Sequence, residues 1–144
     1  MSVPALHGCS ARNDGDWVAR AESANRDADR LLATGDTSGA RAALVSAEAS
    51  IRGAGNDERA VRLDLLYRLA EIDLGKSDTK SAVDWASRGL DLGRSNDTFT
   101  TNLLIVRGHA FERMGNAVAA SRDYHDALVI TETLLDKTLQ GKTP

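Results

Sequence analysis

The sequence predicts an all-α fold: an α-solenoid of three antiparallel helical hairpins, six helices in all. Three observations predict it. Both prolines, Pro4 and Pro144, stand at the ends of the 144-residue chain, so no residue between them lacks a backbone N–H or clashes with a preceding helical turn. Glycines cluster at five places, each followed by Asp, Asn, Ser or Thr, and five such breaks separate six helices. Between the breaks, apolar residues recur every three or four positions, the period of an amphipathic helix. Strands have little to build on, because aromatics are only 4% of the chain and alternating runs of Val, Ile, Thr or Tyr are absent.

Each break has the chemistry of one helix stopping and another starting. Glycine takes the left-handed conformation that closes a helix. The Asp, Asn, Ser or Thr behind it accepts the free N–H groups of the next one. Trp17, Ala21, Ala24, Ala28 and Leu31 mark a helix over 16–34, closed by Gly35 ahead of Asp36 and Thr37. Ala40, Leu44, Ala47 and Ile51 mark 37–53, with Gly53 and Gly55 ahead of Asn56 and Asp57. Val61, Leu65, Leu69 and Ile72 mark 57–75, with Gly75 ahead of Ser77 and Asp78. Ala82, Ala86 and Leu90 mark 78–93, with Gly93 ahead of Ser95, Asn96 and Asp97. Phe99, Leu103, Ala110 and Met114 share a face over 97–114, closed by Gly115 and Asn116. Ala120, Tyr124, Ala127, Thr131 and Leu134 share one over 117–139. The chain therefore divides into a tail over 1–15, a helical repeat domain over 16–140 and a short tail over 141–144.

The hairpins repeat. Ala40, Leu44 and Ala47 align with Ala82, Ala86 and Gly89, and again with Ala120, Tyr124 and Ala127. From Ala40 to Ala82 is 42 positions, and from Ala82 to Ala120 is 38. Small residues at those positions let two helices approach closely while a larger neighbour fills the gap. Leu104, Gly108, Phe111, Gly115, Ala120, Tyr124 and Ala127 in the third unit give the fullest pattern. Leu66, Leu69, Ala70, Ala82, Ala86 and Gly89 follow it in the second, and Ala24, Ala28, Leu31, Gly35, Ala40, Leu44 and Ala47 in the first. On these residues the chain resembles the tetratricopeptide repeat (TPR) family over about residues 16 to 140. It departs from that family in a period longer than the usual roughly 34 residues and in lacking the proline that closes the second helix of a unit. The last helix runs on through Leu134, Leu135 and Leu139, as a cap on the final face or a contact with a partner.

The resemblance implies where a partner lies, because the first helix of each hairpin lines the concave side of such stacks. Carried over by register, the groove positions are Glu22, Asn25, Arg26 and Asp29 in the first unit. Asp64, Tyr67, Arg68 and Glu71 follow in the second, and Asn102, Ile105, His109, Glu112 and Arg113 in the third. The paired Lys and Asn with which some family members grip a terminal carboxylate are not at the matching positions. Acidic groove residues beside Arg26, Arg68 and Arg113 suit a mixed-charge or partly basic peptide.

Other chemistry is sparse. No HExxH, P-loop, GxGxxG or nucleophile elbow occurs, and no enzymatic activity, cofactor or metal is expected. His109 and His125 fall in neighbouring helices, where Glu112 or Asp126 would have to complete any shared metal site; partly exposed helix histidines are the simpler reading. Trp17 continues the apolar stripe of the first helix. Trp85 stands off the Ala82–Ala86 stripe, either packing under the next hairpin or exposed as an anchor. A net charge of −3 supplies no basic face for nucleic acid, and no stretch reaches the roughly 20 apolar residues of a membrane span.

Leu6, Gly8 and the single cysteine, Cys9, resemble the lipobox of bacterial lipoproteins, in which the cysteine is lipidated. That resemblance implies a periplasmic, membrane-anchored chain, against a cytoplasmic one with a free thiol in its tail. The expected function is a scaffold that presents a concave helical surface to a peptide or helix of another protein. The alternatives are a lipid-anchored assembly factor of an envelope complex, or a regulatory domain that self-associates through Leu134–Leu139.

Overall fold

Six helices and no strand form among residues 16–141, the part of the chain that the computed structural model describes. They are α1 (Asp16–Ala33), α2 (Thr37–Ser50), α3 (Asn56–Gly75), α4 (Thr79–Asp91), α5 (Thr98–Arg113) and α6 (Ala117–Gln140). Cys9 and its lipobox-like neighbours lie outside the described residues.

One turn recurs in all three hairpins. The N–H of Asp36 donates to the Leu31 carbonyl at 2.8 Å, that of Asp78 to Asp73 at 2.8 Å, and that of Asn116 to Phe111 at 2.9 Å. One residue earlier, the N–H groups of Gly35, Ser77 and Gly115 donate to Leu32, Leu74 and Glu112. These paired bonds satisfy the free carbonyls of each first helix. The side chains of Asp36, Asp78 and Asn116 then accept from the N–H groups of Gly39, Ser81 and Ala119 and so cap each second helix. The turn atoms therefore repeat at the same intervals as the small residues.

The repeat register decides which residue turns left-handed. Gly35 (φ +83°) and Gly115 (φ +75°) do so as predicted, but in the middle hairpin it is Ser77 (φ +64°) and not Gly75. The left-handed residue must directly precede the cap, which is Asp78, so Gly75 is left as the last residue of α3. Helix ends differ elsewhere too. α2 stops at Ser50, three residues short of the expected end, because Ile51 turns extended and buries its side chain in the core. α3 starts behind Gly55, with Asp57 and Glu58 in its first turn and no side-chain cap bond from Asn56 or Asp57.

Helices pack only on near neighbours. Within hairpins α1 meets α2, α3 meets α4 and α5 meets α6; between hairpins α2 meets α3 and α4 meets α5. Along one face, α3 packs on α5 and lightly on α1, while α1 packs on neither α5 nor α6. The result is an open stack, the arrangement of a repeat array, in which each unit covers the next. Trp17, Ala21, Ala28, Leu44, Leu65 and Leu69 anchor one core, and Leu63, Ala70, Leu90, Leu103, Leu104 and Ala127 the other. Trp85 joins both, partly buried. Of the predicted apolar faces, Phe99, Met114 and Thr131 are exposed, while Ile130 is buried. Met114 caps the C-terminal end of α5, and Phe99, at its start, borders an open cleft with Val18 and Ala21 of α1 and Val61 of α3. In α6 the buried line runs through Ala120, Asp123, Ala127 and Ile130 and leaves Thr131 beside it.

Two buried carboxylates tie the hairpins together. Asp73 on α3 accepts from Arg41 Nε of α2 at 2.7 Å, from Arg41 Nη2 at 3.0 Å and from Trp85 Nε1 of α4 at 2.8 Å. Arg88 stacks over the Trp85 ring at 4.7 Å, closing the cluster by cation–π attraction. Asp123 on α6 accepts twice from Arg107 of α5, at 2.7 and 2.8 Å, and Arg107 Nη1 also donates to Ser87 of α4 at 3.1 Å. Both are forked arginine–carboxylate pairs, which fix geometry as well as charge.

Two expectations follow. Gly35→Ala meets no atom within 4 Å, so its cost is the left-handed backbone alone, about 1 kcal/mol, read as a lower midpoint in urea. Asp73→Ala strands the Arg41 guanidinium and the Trp85 N–H and is expected to cost about 3 kcal/mol in the same assay.

Candidate partner-binding groove

The face built by α1, α3 and α5 carries all the groove positions inferred by register, and the structure divides them into groups with different work. Residues four apart on a helix share a face, and α3 presents Asp64, Arg68 and, between them, Tyr67 there. Asn25 on α1 donates from Nδ2 to Asp64 at 3.2 Å and accepts from Arg68 Nη1 at 2.8 Å. Arg68 Nη2 also donates to Asp29. Asn25, Asp29, Asp64 and Arg68 thus form a polar ladder that holds α1 to α3. Glu22 and Arg26 are exposed on α1 and pair loosely at 4.0 Å. Glu112 turns toward α6 and accepts from the Tyr124 hydroxyl at 2.8 Å.

The remaining six positions come together between α3 and α5. Tyr67, Glu71, Asn102, Ile105, His109 and Arg113 line an open cleft of about 460 Å³. Leu74, Gly75 and Val106, which register did not select, complete its wall. Ile105 is 38% exposed there, although most β-branched residues of its helix are buried. The Tyr67 hydroxyl donates to Glu71 Oε1 at 2.6 Å along one rim. Arg113 closes one end by donating to the Leu74 carbonyl at 2.7 Å and to Ser77 Oγ at 3.1 Å. His109 meets Tyr124 edge-on, ring centres 5.6 Å apart at 67°, which fixes the imidazole at the cleft edge.

The cleft is an amphipathic slot with an uneven charge balance. Arg113 is engaged by backbone and hydroxyl oxygens of the stack. Glu71 accepts from the Tyr67 phenol. His109 and His125 do not share a site: His125 borders a separate cleft with Arg94 and Asp126, which pair at 3.0 Å. Among the described residues no three His, Cys, Asp or Glu side chains are grouped to hold a metal ion.

Sequence reasoning missed the buried carboxylates beneath this face. Asp73 continues the Leu65, Leu69 line by four residues, and Asp123 sits inside the Ala120, Ala127 line. A charged residue at a core position was the available signal. Its arginine partner lay 32 residues away in one case and 16 in the other.

Comparison with models of known protein families and with curated proteins finds no match to this chain.

Both tyrosines carry a pH signature. Burial, then the hydrogen bond to and charge of Glu71, push the Tyr67 phenol from its ordinary 10.0 up to about 12. Burial and Glu112 do the same to Tyr124. A folded-state value raised above the unfolded one contributes stability that is complete below about 10 and disappears as pH climbs through about 12. These are the chain's two tyrosines. Absorbance of phenolate is therefore expected to rise in the folded protein only as pH approaches 12, together with alkaline loss of helicity, and Glu71→Gln is expected to shift part of that rise downward.

Proposed function

We propose that this chain is a protein-interaction module of the TPR-like kind, which receives a peptide or helix of another protein along α3 and α5. The observation that carries this reading is the α3–α5 cleft, whose side chains are already held in place. Its hydrophobic floor of Leu74, Ile105 and Val106 is bordered by Tyr67 and His109, and the Tyr67–Glu71 and Arg113–Leu74 bonds fix the rim. Few side chains need ordering on binding, which lowers the entropic cost of association. Aromatic and branched side chains in a central pocket are the usual carriers of binding energy. The Glu71 carboxylate on the rim favours a partner with an apolar anchor and a neighbouring Lys or Arg.

Ile105→Asp places a charge on the cleft floor without touching either core. It is expected to weaken partner capture from the native host about thirtyfold, the effect of losing a hot-spot contact of about 2 kcal/mol, while helicity and the urea midpoint stay unchanged. Retention of the same partners by this variant at undiminished affinity contradicts the assignment.

A further inference from the structure

We infer that the outer face of α6 is a homodimer surface, on which a second copy of this chain lays its own α6 in antiparallel orientation.

The repeat itself supports the inference. By register, Glu48 of α2, Leu90 of α4 and Leu128 of α6 occupy one position, and so do Val45, Ser87 and His125. At these two positions the first two hairpins are covered by the next helix. Glu48 lies 3.5 Å from Arg62 of α3, Leu90 is 5% exposed in the core with Leu103 and Leu104 of α5, and Ser87 holds Arg107 of α5. On α6 the same face is bare among the described residues: Leu128 is 55% exposed. The stripe runs the length of the helix through Val118, Ser121, His125, Leu128, Glu132, Leu135 and Leu139. Val118 is 72% exposed, Leu135 57% and Leu139 58%. Alternating steps of three and four over three heptads are the spacing of a two-helix seam.

Charge selects the occupant and its direction. About the midpoint of the stripe, antiparallel pairing brings Val118 level with Leu139 of the second copy and His125 level with Glu132. It also brings Arg122 to within one residue of Asp136. Parallel pairing would set Glu132 beside Glu132 and Asp136 beside Asp136, which repel. The surface is thus complementary to itself, as a two-fold interface requires. One 24-residue helix gives a contact at the small end of stable interfaces, so the dimer is reversible. The α3–α5 cleft is not part of it, and either reading can fail without the other.

Sedimentation of the described chain with its tails, from low micromolar to several hundred micromolar, tests the inference. A monomer–dimer equilibrium is expected, weakened at least tenfold by Leu128→Glu with Leu135→Glu at unchanged helicity. In a Cys9→Ser background, Val118→Cys with Leu139→Cys is expected to oxidise to a covalent dimer, and Leu139→Cys alone is not. A monomer at every concentration overturns the proposal and leaves the face to a helix of another protein. So does a dimer indifferent to the double Glu variant, or one that Leu139→Cys alone cross-links.

Discussion

Where Gly89 faces Leu103 and Gly108 faces Tyr124, neighbouring helices come so close that an added methyl group would stand 2.7 Å and 2.6 Å from the side chain opposite. By repeat register Ala28 and Ala70 stand at the position of Gly108, and Ala47 and Ala127 at that of Gly89, and all four are buried. Helix backbones at this separation leave no room for a bulky residue, so the large leucines fill the spaces beside the crossings. Everything else depends on this spacing. It holds α5 against α4 and α6, and so places the α5 wall of the cleft. Close packing also keeps the short carboxylates of Asp73 and Asp123 within reach of arginines on the preceding helices, α2 and α5.

Those two carboxylates add direction to a contact that apolar packing leaves loose. A buried ion pair is weak evidence for stability, because desolvation offsets much of its attraction. A forked pair nevertheless accepts one relative placement of its helices. Asp73 binds α2 and α4 to α3, and Asp123 binds α5 to α6 with Ser87 of α4 sharing the same arginine. The polar ladder of Asn25, Asp64 and Arg68 does similar work between α1 and α3. Many charges on the face of α1, α3 and α5 are therefore parts of the scaffold. The freer groups concentrate at the α3–α5 cleft, where Ile105 and Glu71 face outward.

The outer face of α6 has the opposite character. It repeats a surface that α2 and α4 bury, with Leu128 at the position of Leu90, yet no described helix lies on it. A stack grows by offering such a face to the next unit, so its last helix keeps the affinity that built the earlier contacts.

The six helices, their three-four periodicity, the caps at Asp36, Asp78 and Asn116, and the pairing of hairpins were determined by the sequence alone. Those features depend on residues within one turn or one short connection, and local spacing records them directly. Tertiary structure decided which groove charges are engaged and which are free. Arg68 reaches Asn25 across 43 residues, and Asn25 reaches Asp64 across 39. It also decided that Ser77, and not Gly75, turns left-handed, and that Asp73 and Asp123 are buried with arginines. Each of these outcomes turns on how close another helix lies and which side chains it presents, and that distance is a property of the packed stack, which no single segment encodes.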